Sequence, residues 1–287
     1  MFDLVLKDVA IIDGTGAEVP AGFLAVSGGR IVRIADSLDA AAAESIDGTG
    51  LAVAPGFIDV HTHDDRAVLA TDMAAKLSQG VTSVITGNCG ISLGPLPGHS
   101  AVAPPLDLIA RGPQDLFPRY GDYLRAVEEA GPAVNIAGLV GHSTLRLAVM
   151  DRLDRAATAP ECRAMRRLLE GALEDGAIGL STGLYYQPAN AASTAEIIAI
   201  SEPLARYGGL YTTHLRDEAD HVLEAMEEAF AVGRGADVPI VLSHHKVTDT
   251  RNHGRPRETP PVIERRAPPP PGAADVYPCP LYSPYAA

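Results

Sequence analysis

After Pro55 the chain repeats one pattern: a short run of apolar and β-branched residues, a loop, then a stretch with apolar residues at helical spacing. The first strand opens at Phe57-Ile58-Asp59-Val60. Further strands are expected over 81–86, 134–140, 177–181, 210–214 and 238–246, with helices over 66–79, 122–130, 160–175, 193–207 and 218–232. Strands this apolar are buried on both faces, and parallel neighbours need a crossover long enough to hold a helix. The alternation therefore predicts a parallel sheet covered by helices, as a barrel or an open doubly wound sheet. No Gly-x-Gly-x-x-Gly follows the first strand, which weakens a dinucleotide-binding version.

Residues that ligate metals cluster where these strands stop. His61 and His63, spaced i, i+2, share a face if the first strand runs through them. Cys89 follows the strand over 81–86 inside Gly87-Asn88-Cys89-Gly90, a turn that exposes its thiol. His214 closes the strand over 210–214, and His244 or His245 closes the strand over 238–246. In a (β/α)8 barrel the carboxyl ends of the strands converge on one rim, where active sites sit. Imidazole and thiolate are the donors zinc favours, so zinc is the expected ion. Alone, Cys89 would more often be a small buried hydrophobe and a His-x-His pair an ordinary pair of polar side chains. Convergence of donors from several strands favours the metal. His142, after the strand over 134–140, reads equally as a rim residue or a turn residue. His99, His221 and His253 read as solvated, Cys162 as structural. Lys246, two residues beyond His244, can hold a substrate carboxylate. The proline- and glycine-rich loop over 94–118 is long for a compact domain and reads as a lid or binding segment.

Residues 1–54 read differently. Short β-rich runs at 4–6, 10–12, 23–26 and 31–34, separated by Asp13-Gly14 and Gly28-Gly29, predict a small β module, distinct from the domain expected over 55–287. With 23 basic and 36 acidic residues the net charge is −13, which argues against nucleic acid and anionic membrane as partners. Three cysteines form no disulfide framework. With no basic, apolar leader and no run of membrane-spanning length, a soluble, cytoplasmic protein is expected.

Four motifs narrow the reading: Pro-Gly-Phe-Ile-Asp-Val-His-Thr-His at 55–63, Gly87-Asn88-Cys89-Gly90, Thr213-His214-Leu215-Arg216-Asp217-Glu218 and Ser243-His244-His245-Lys246. The first resembles the opening barrel strand of the amidohydrolase superfamily. Together they resemble its N-acyl-D-amino-acid deacylases (D-aminoacylases), over about residues 1–258. The resemblance implies a barrel joined to a small β-sandwich and hydrolysis of the amide of small-molecule N-acyl-D-amino acids. It implies zinc at Cys89, His214 and His244, with a second, weaker position shaped by His61, His63 and the shared Cys89. Lys246 would bind the substrate carboxylate. The rival readings are a cyclic-amide hydrolase of hydantoinase or dihydroorotase type, against which Cys89 argues, and a non-catalytic metal-binding remnant.

The family's general base is an aspartate at the end of the eighth barrel strand, and no counterpart is found in this sequence. Residues 256–287 hold 10 of the 23 prolines, including Pro268 to Pro271. Asp275-Val276-Tyr277-Pro278 resembles the family's seventh strand, with Asp275 expected at its start and given no role. The expectation is an incomplete (β/α)8 barrel without its last strand and with an aberrant tail from about residue 256.

Overall fold

The structure, a computed structural model, describes residues 1–16, 22–37, 41–98, 101–267 and 272–276. The chain divides into two compact units, Met1–Phe57 and Ile58–Ala287. His99, Cys279 and Pro268 to Pro271 lie outside the described residues.

The first unit is built on β1 (Phe2–Ile11), β2 (Gly22–Ser27), β3 (Arg30–Ala35), β4 (Ala42–Asp47) and the short β5 (Ala52–Val53). Its sheet runs β3-β2-β1-β4, with β5 also on β1. The two apolar runs expected at 4–6 and 10–12 are one strand. The register slips between Leu6 and Val9, and Asp8 turns to positive φ, so one long strand carries a bulge where two were expected. Gly28 and Gly29, both at positive φ, form the two-residue turn that brings Ser27 opposite Arg30. β4 has no strong strand signal and pairs through its backbone with β1. The described residues of this unit make one sheet of the implied sandwich, with Val5, Val9, Ile11, Leu24 and Ala25 buried on it.

The second unit alternates as expected. In chain order its elements are β6 (Phe57–Asp59), α1 (Ala67–Ala70), α2 (Ala74–Leu77), β7 (Val81–Thr86), α3 (Tyr120–Ala130), β8 (Asn135–Gly141), α4 (His142–Val149), α5 (Ala159–Asp175), β9 (Gly179–Gly183), α6 (Thr194–Ser201), α7 (Pro203–Tyr207), β10 (Leu210–His214), α8 (Val222–Ala236), β11 (Ile240–Leu242), α9 (Thr259–Arg266) and β12 (Ala273–Ala274). The seven strands pair in sequence order, and those from β7 to β12 are parallel. Residues just past the first and last strands touch, His61 Nδ1 lying 3.3 Å from Asp275 Oδ2. The sheet is thus curled into an open half-barrel whose carboxyl ends face a common point.

Leu180, Tyr211, Ile240 and Leu242 on the strands are buried in the same core as Met165, Leu169, Ile197, Met226 and Phe230 on the helices. Each such side chain contributes roughly 1.5–3 kcal/mol of transfer free energy. α5 is bounded as its sequence dictates: Thr158 and Glu161 form a reciprocal capping box, and Gly176 at φ +116° ends it.

Three expectations are corrected. The helix over 66–79 is two short helices. Thr71 Oγ1 donates to Ala67 O and accepts from Met73 N, Asp72 Oδ1 accepts from Ala74 N, and Met73 sits at φ 59°. These side chains offer the backbone an alternative to the helical ladder. The first strand ends at Asp59, so His61 and His63 lie beyond it, and Phe57 and Ile58, expected to be buried, are 65% and 61% exposed at the sheet edge. The strand expected to start at Asp275 is β12, over Ala273–Ala274, so Asp275 follows its end; among the described residues from 256 on, α9 precedes it. Pro260 and Pro261 occupy the first turn of α9, where a missing N–H breaks no ladder bond.

Candidate metal centre

The centre begins with the turn after β7. Gly87, Cys89 and Gly90 all adopt positive φ. A Cβ at residue 87 would lie 2.0 Å from the Leu139 carbonyl oxygen. Ser181 Oγ, on β9, donates to Gly87 O and accepts from Gly90 N, and Asn88 Nδ2 donates to Ile85 O at 3.0 Å. The turn is clamped on both sides, and its strained left-handed Cys89 turns the thiol inward. Gly87→Ala is expected to cost at least about 1–3 kcal/mol from its dihedral alone, more with the overlap, as a lower urea midpoint.

Around Cys89 the expected donors converge. Its Sγ is 3.2 Å from His61 Nε2 and 3.4 Å from His244 Nε2. Two groups, His61–His63–Cys89 and Cys89–His214–His244, each hold one ligand atom per residue within 4.8 Å of one another. Sulfur and nitrogen donors on one tetrahedral zinc ion are about 3.6 Å apart, from bond lengths of about 2.3 and 2.0–2.1 Å. The two groups share Cys89. His214 is buried at the end of β10 and neither ring nitrogen makes a hydrogen bond, Nε2 lying 3.4 Å from Glu218 Oε2. A buried imidazole in this state is costly unless a cation takes its lone pair, so the residues present fit a metal.

The electrostatics agree. Burial, with neighbouring His61 and His244, pushes His63 down to about 4, leaving a neutral ring at pH 7. Burial also lowers His214. Burial, then the Asp275 and Glu218 carboxylates, pushes the Cys89 thiol up to about 12. A cation is what would make Cys89 a thiolate here. Burial would raise Glu218, but the His214 and His244 imidazoles and the Lys246 ammonium beside it hold it well below the usual carboxylate range.

Sequence reasoning missed two carboxylates. Glu218, four residues after His214, lies 3.2 Å from His244 Nδ1 and 2.7 Å from Lys246 Nζ. Asp275, expected at a strand start, follows the end of β12; its Oδ1 accepts from His244 N at 2.6 Å. The spacing of Glu218 to His214 was a usable signal, whereas Asp275 needed the strand boundary. Lys246 sits beside the site, in the ion pair with Glu218 and 2.9 Å from His244 Nδ1. The open choice at 244 and 245 resolves geometrically: His245 Nε2 bonds Thr259 Oγ1 at 2.7 Å, away from Cys89. His142 is fully buried against Glu196 and stays out of the centre. A cavity of about 520 Å³ opens over Cys89, His63, His214 and His244, walled by Ile91, Tyr186 and, from the long loop, Pro105 and Leu108.

The amidohydrolase family model matches residues 44–266. The chain belongs to the amidohydrolase family. It is 53% identical to a D-aminoacylase of Alcaligenes xylosoxydans xylosoxydans over 92% of its length and 54% of that enzyme's, so it spans about half the length of the curated relatives it matches. Solved structures of D-aminoacylase, one concerning its binuclear metal center with one-metal activation and second-metal attenuation, superpose with a TM-score of 0.93 at 49% identity, covering 97% of this chain and 59% of theirs. N-acyl-D-glutamate deacylase from Bordetella bronchiseptica, complexed with zinc and a phosphonate inhibitor, superposes at 0.90 and 42% identity over the same shares. Against an Arthrobacter aurescens L-hydantoinase the identity is 16% and the TM-score 0.54, a likeness of fold alone. The amidohydrolase half-barrel thus carries its candidate donors where parallel strands end.

Proposed function

We propose that this chain forms the metal-binding part of a zinc-dependent amidohydrolase that cleaves the amide bond of N-acyl-D-amino acids. Zinc would be held by Cys89, His214 and His244, with a weaker position at His61, His63 and the shared Cys89. The observation that carries this reading is the pair of donor groups meeting at one thiol on the floor of a cavity. The sequence identity to deacylases over 92% of the chain supports the substrate class, whereas the cyclic-amide reading has a likeness of fold and a sequence match to a dihydroorotase over 89 residues, 29% of the chain.

Zinc held by these residues would polarise the acyl carbonyl and lower the pKa of a bound water to about 7. The cavity is large enough for such a substrate, its apolar wall of Ile91, Pro105 and Leu108 meeting an acyl or side-chain group. Lys246 takes the substrate carboxylate, exchanging part of its ion pair with Glu218 for it. Proton transfer from water to the leaving amine needs a further carboxylate, because Glu218 and Asp275 are already bonded to imidazoles and to Lys246. The partner is a small molecule. The net charge of −13 disfavours nucleic acid, and among the described residues no helix is long and apolar enough to cross a membrane. Cys89 and Cys162 are free thiols, in keeping with a reducing, cytoplasmic compartment.

Metal analysis of the purified chain is expected to find zinc, and less than about half an equivalent would count against the reading. Parallel assays on N-acyl-D-amino acids and hydantoins separate the substrate classes: any turnover is expected on the former alone, and its rate is limited by the carboxylate still needed for proton transfer. Turnover on hydantoins would reverse the substrate class. Zinc with turnover on neither would leave metal binding without catalysis.

A further inference from the structure

Each of the two imidazoles flanking Cys89 has a carboxylate behind it. His244 presents Nε2 to Cys89 at 3.4 Å and Nδ1 to Glu218 Oε1 at 3.2 Å. His61 presents Nε2 to Cys89 at 3.2 Å and Nδ1 to Asp275 Oδ2 at 3.3 Å. A ring nitrogen can give its lone pair to a metal only if the other nitrogen carries the proton, and an acceptor behind the ring selects that tautomer. We propose that Glu218 and Asp275 are positioning residues that divide the two metal positions, Glu218 serving Cys89–His214–His244 and Asp275 serving His61–His63–Cys89.

The proposal rests on the metal reading above and goes beyond it by assigning each carboxylate to one position. Glu218 is 7% exposed, and its other oxygen lies 3.4 Å from His214 Nε2, so one side chain lies against both imidazoles of its position. At His244 Nδ1 it competes with Lys246 Nζ, 2.9 Å away. An ammonium can only donate, and donation to Nδ1 leaves the proton on Nε2, which faces Cys89. Glu218 therefore both draws the proton to Nδ1 and holds the ammonium by its charge. Asp275 reaches its position from the opposite edge of the curled sheet. It also accepts from the backbone N–H of His244, whose φ of 37° that bond helps hold. Neither carboxylate belongs to either donor group within ligand reach, which separates this role from direct coordination.

The test is zinc titration of the metal-stripped full chain against a competing chelator, repeated with cobalt(II) to read the thiolate–metal absorption. Glu218→Gln is expected to weaken the first equivalent about 10- to 100-fold, the range for outer partners of metal-bound histidine. Glu218→Asp should recover part of the loss. Asp275→Asn is expected to weaken the second equivalent similarly and leave the first within about threefold. The melting temperature of each stripped variant is read alongside, because Glu218→Gln also removes the ion pair to Lys246, and the selective loss of one equivalent is what distinguishes positioning from a general loss of stability. The proposal is overturned if the parent binds zinc and Glu218→Gln binds its first equivalent equally well, or if Asp275→Asn leaves every observed equivalent unaltered. It is also overturned if each variant weakens both equivalents along with a fall in stripped-state melting, the mark of a merely structural role. A parent that binds no zinc fails earlier and removes the metal reading itself.

Discussion

Replacing Cys89 by alanine is expected to abolish tight zinc binding, lowering the affinity by more than about a hundredfold and so beyond the loss typical of outer-sphere changes. Cys89 belongs to both donor groups, so its removal leaves each with two imidazoles. Its thiol, pushed up to about 12 in the metal-free chain, keeps its proton at neutral pH. Binding must therefore expel that proton, and affinity rises with pH wherever the free thiol is protonated and the histidines are neutral. His63, held near 4, and His214, lowered by burial, supply no proton in that window. Calorimetry in buffers of different ionisation enthalpy reads the count: one proton is expected for the parent near pH 7.5 and none for whatever weak binding Cys89→Ala retains. A variant that binds zinc as tightly as the parent would remove Cys89 from the centre. The Cys89→Ala fold is expected to persist, because the clamp on the turn uses backbone groups and Ser181.

Glu196 carries the second large effect, on stability. Arg146 is fully buried and donates to Glu196 Oε1, to Leu153 O and to Arg155 O. His142 Nε2 lies 3.1 Å from the same carboxylate, and Ala157 N donates to its other oxygen. The sequence suggests Glu196 as the far half of a capping box. Ser193 Oγ does accept from Glu196 N, but the glutamate side chain turns inward to the arginine. Glu196→Ala strands a buried guanidinium, a change that costs about 3–5 kcal/mol. Urea unfolding at pH 7 measures it, and a loss below about 1 kcal/mol would place the cluster among contacts of little consequence.

The same carboxylate makes the fold sensitive to acid. Burial would raise its pKa, but the His142 bond and charge, Ala157 N and Arg146 hold it at about 2. Unfolded, a glutamate titrates near 4.3. Its contribution is therefore present above about pH 4.3 and lost as pH falls toward 2. The stability gap between parent and Glu196→Gln should narrow across that interval.

Much of the candidate site was legible because its signals are local. Strand ends are marked by glycine, aspartate and the loss of β-branched residues, so His214 and Cys89 could be placed at rims one segment at a time. His244 and His245 were adjacent on the same strand end, and only the Thr259 hydroxyl, from a later helix, separates them. Glu218, quoted only within a motif, and Asp275, placed at a strand start, carry no role in the sequence reading because their roles depend on rings contributed by β-segments far away in sequence. The broken helix over 66–79 was hidden for another reason: apolar spacing reports which face is buried, and it is silent about side chains that take backbone hydrogen bonds for themselves.

The sequence by itself determined that parallel strands alternate with helices and that imidazoles and a thiol lie at strand ends, because burial and turn chemistry are written residue by residue. Only the tertiary structure decided how far the sheet curls, which nitrogen of His61 and of His244 faces Cys89, and which carboxylate stands behind each. Those properties depend on distances between segments up to 214 residues apart, as in the contact of His61 with Asp275, and no local pattern encodes a distance.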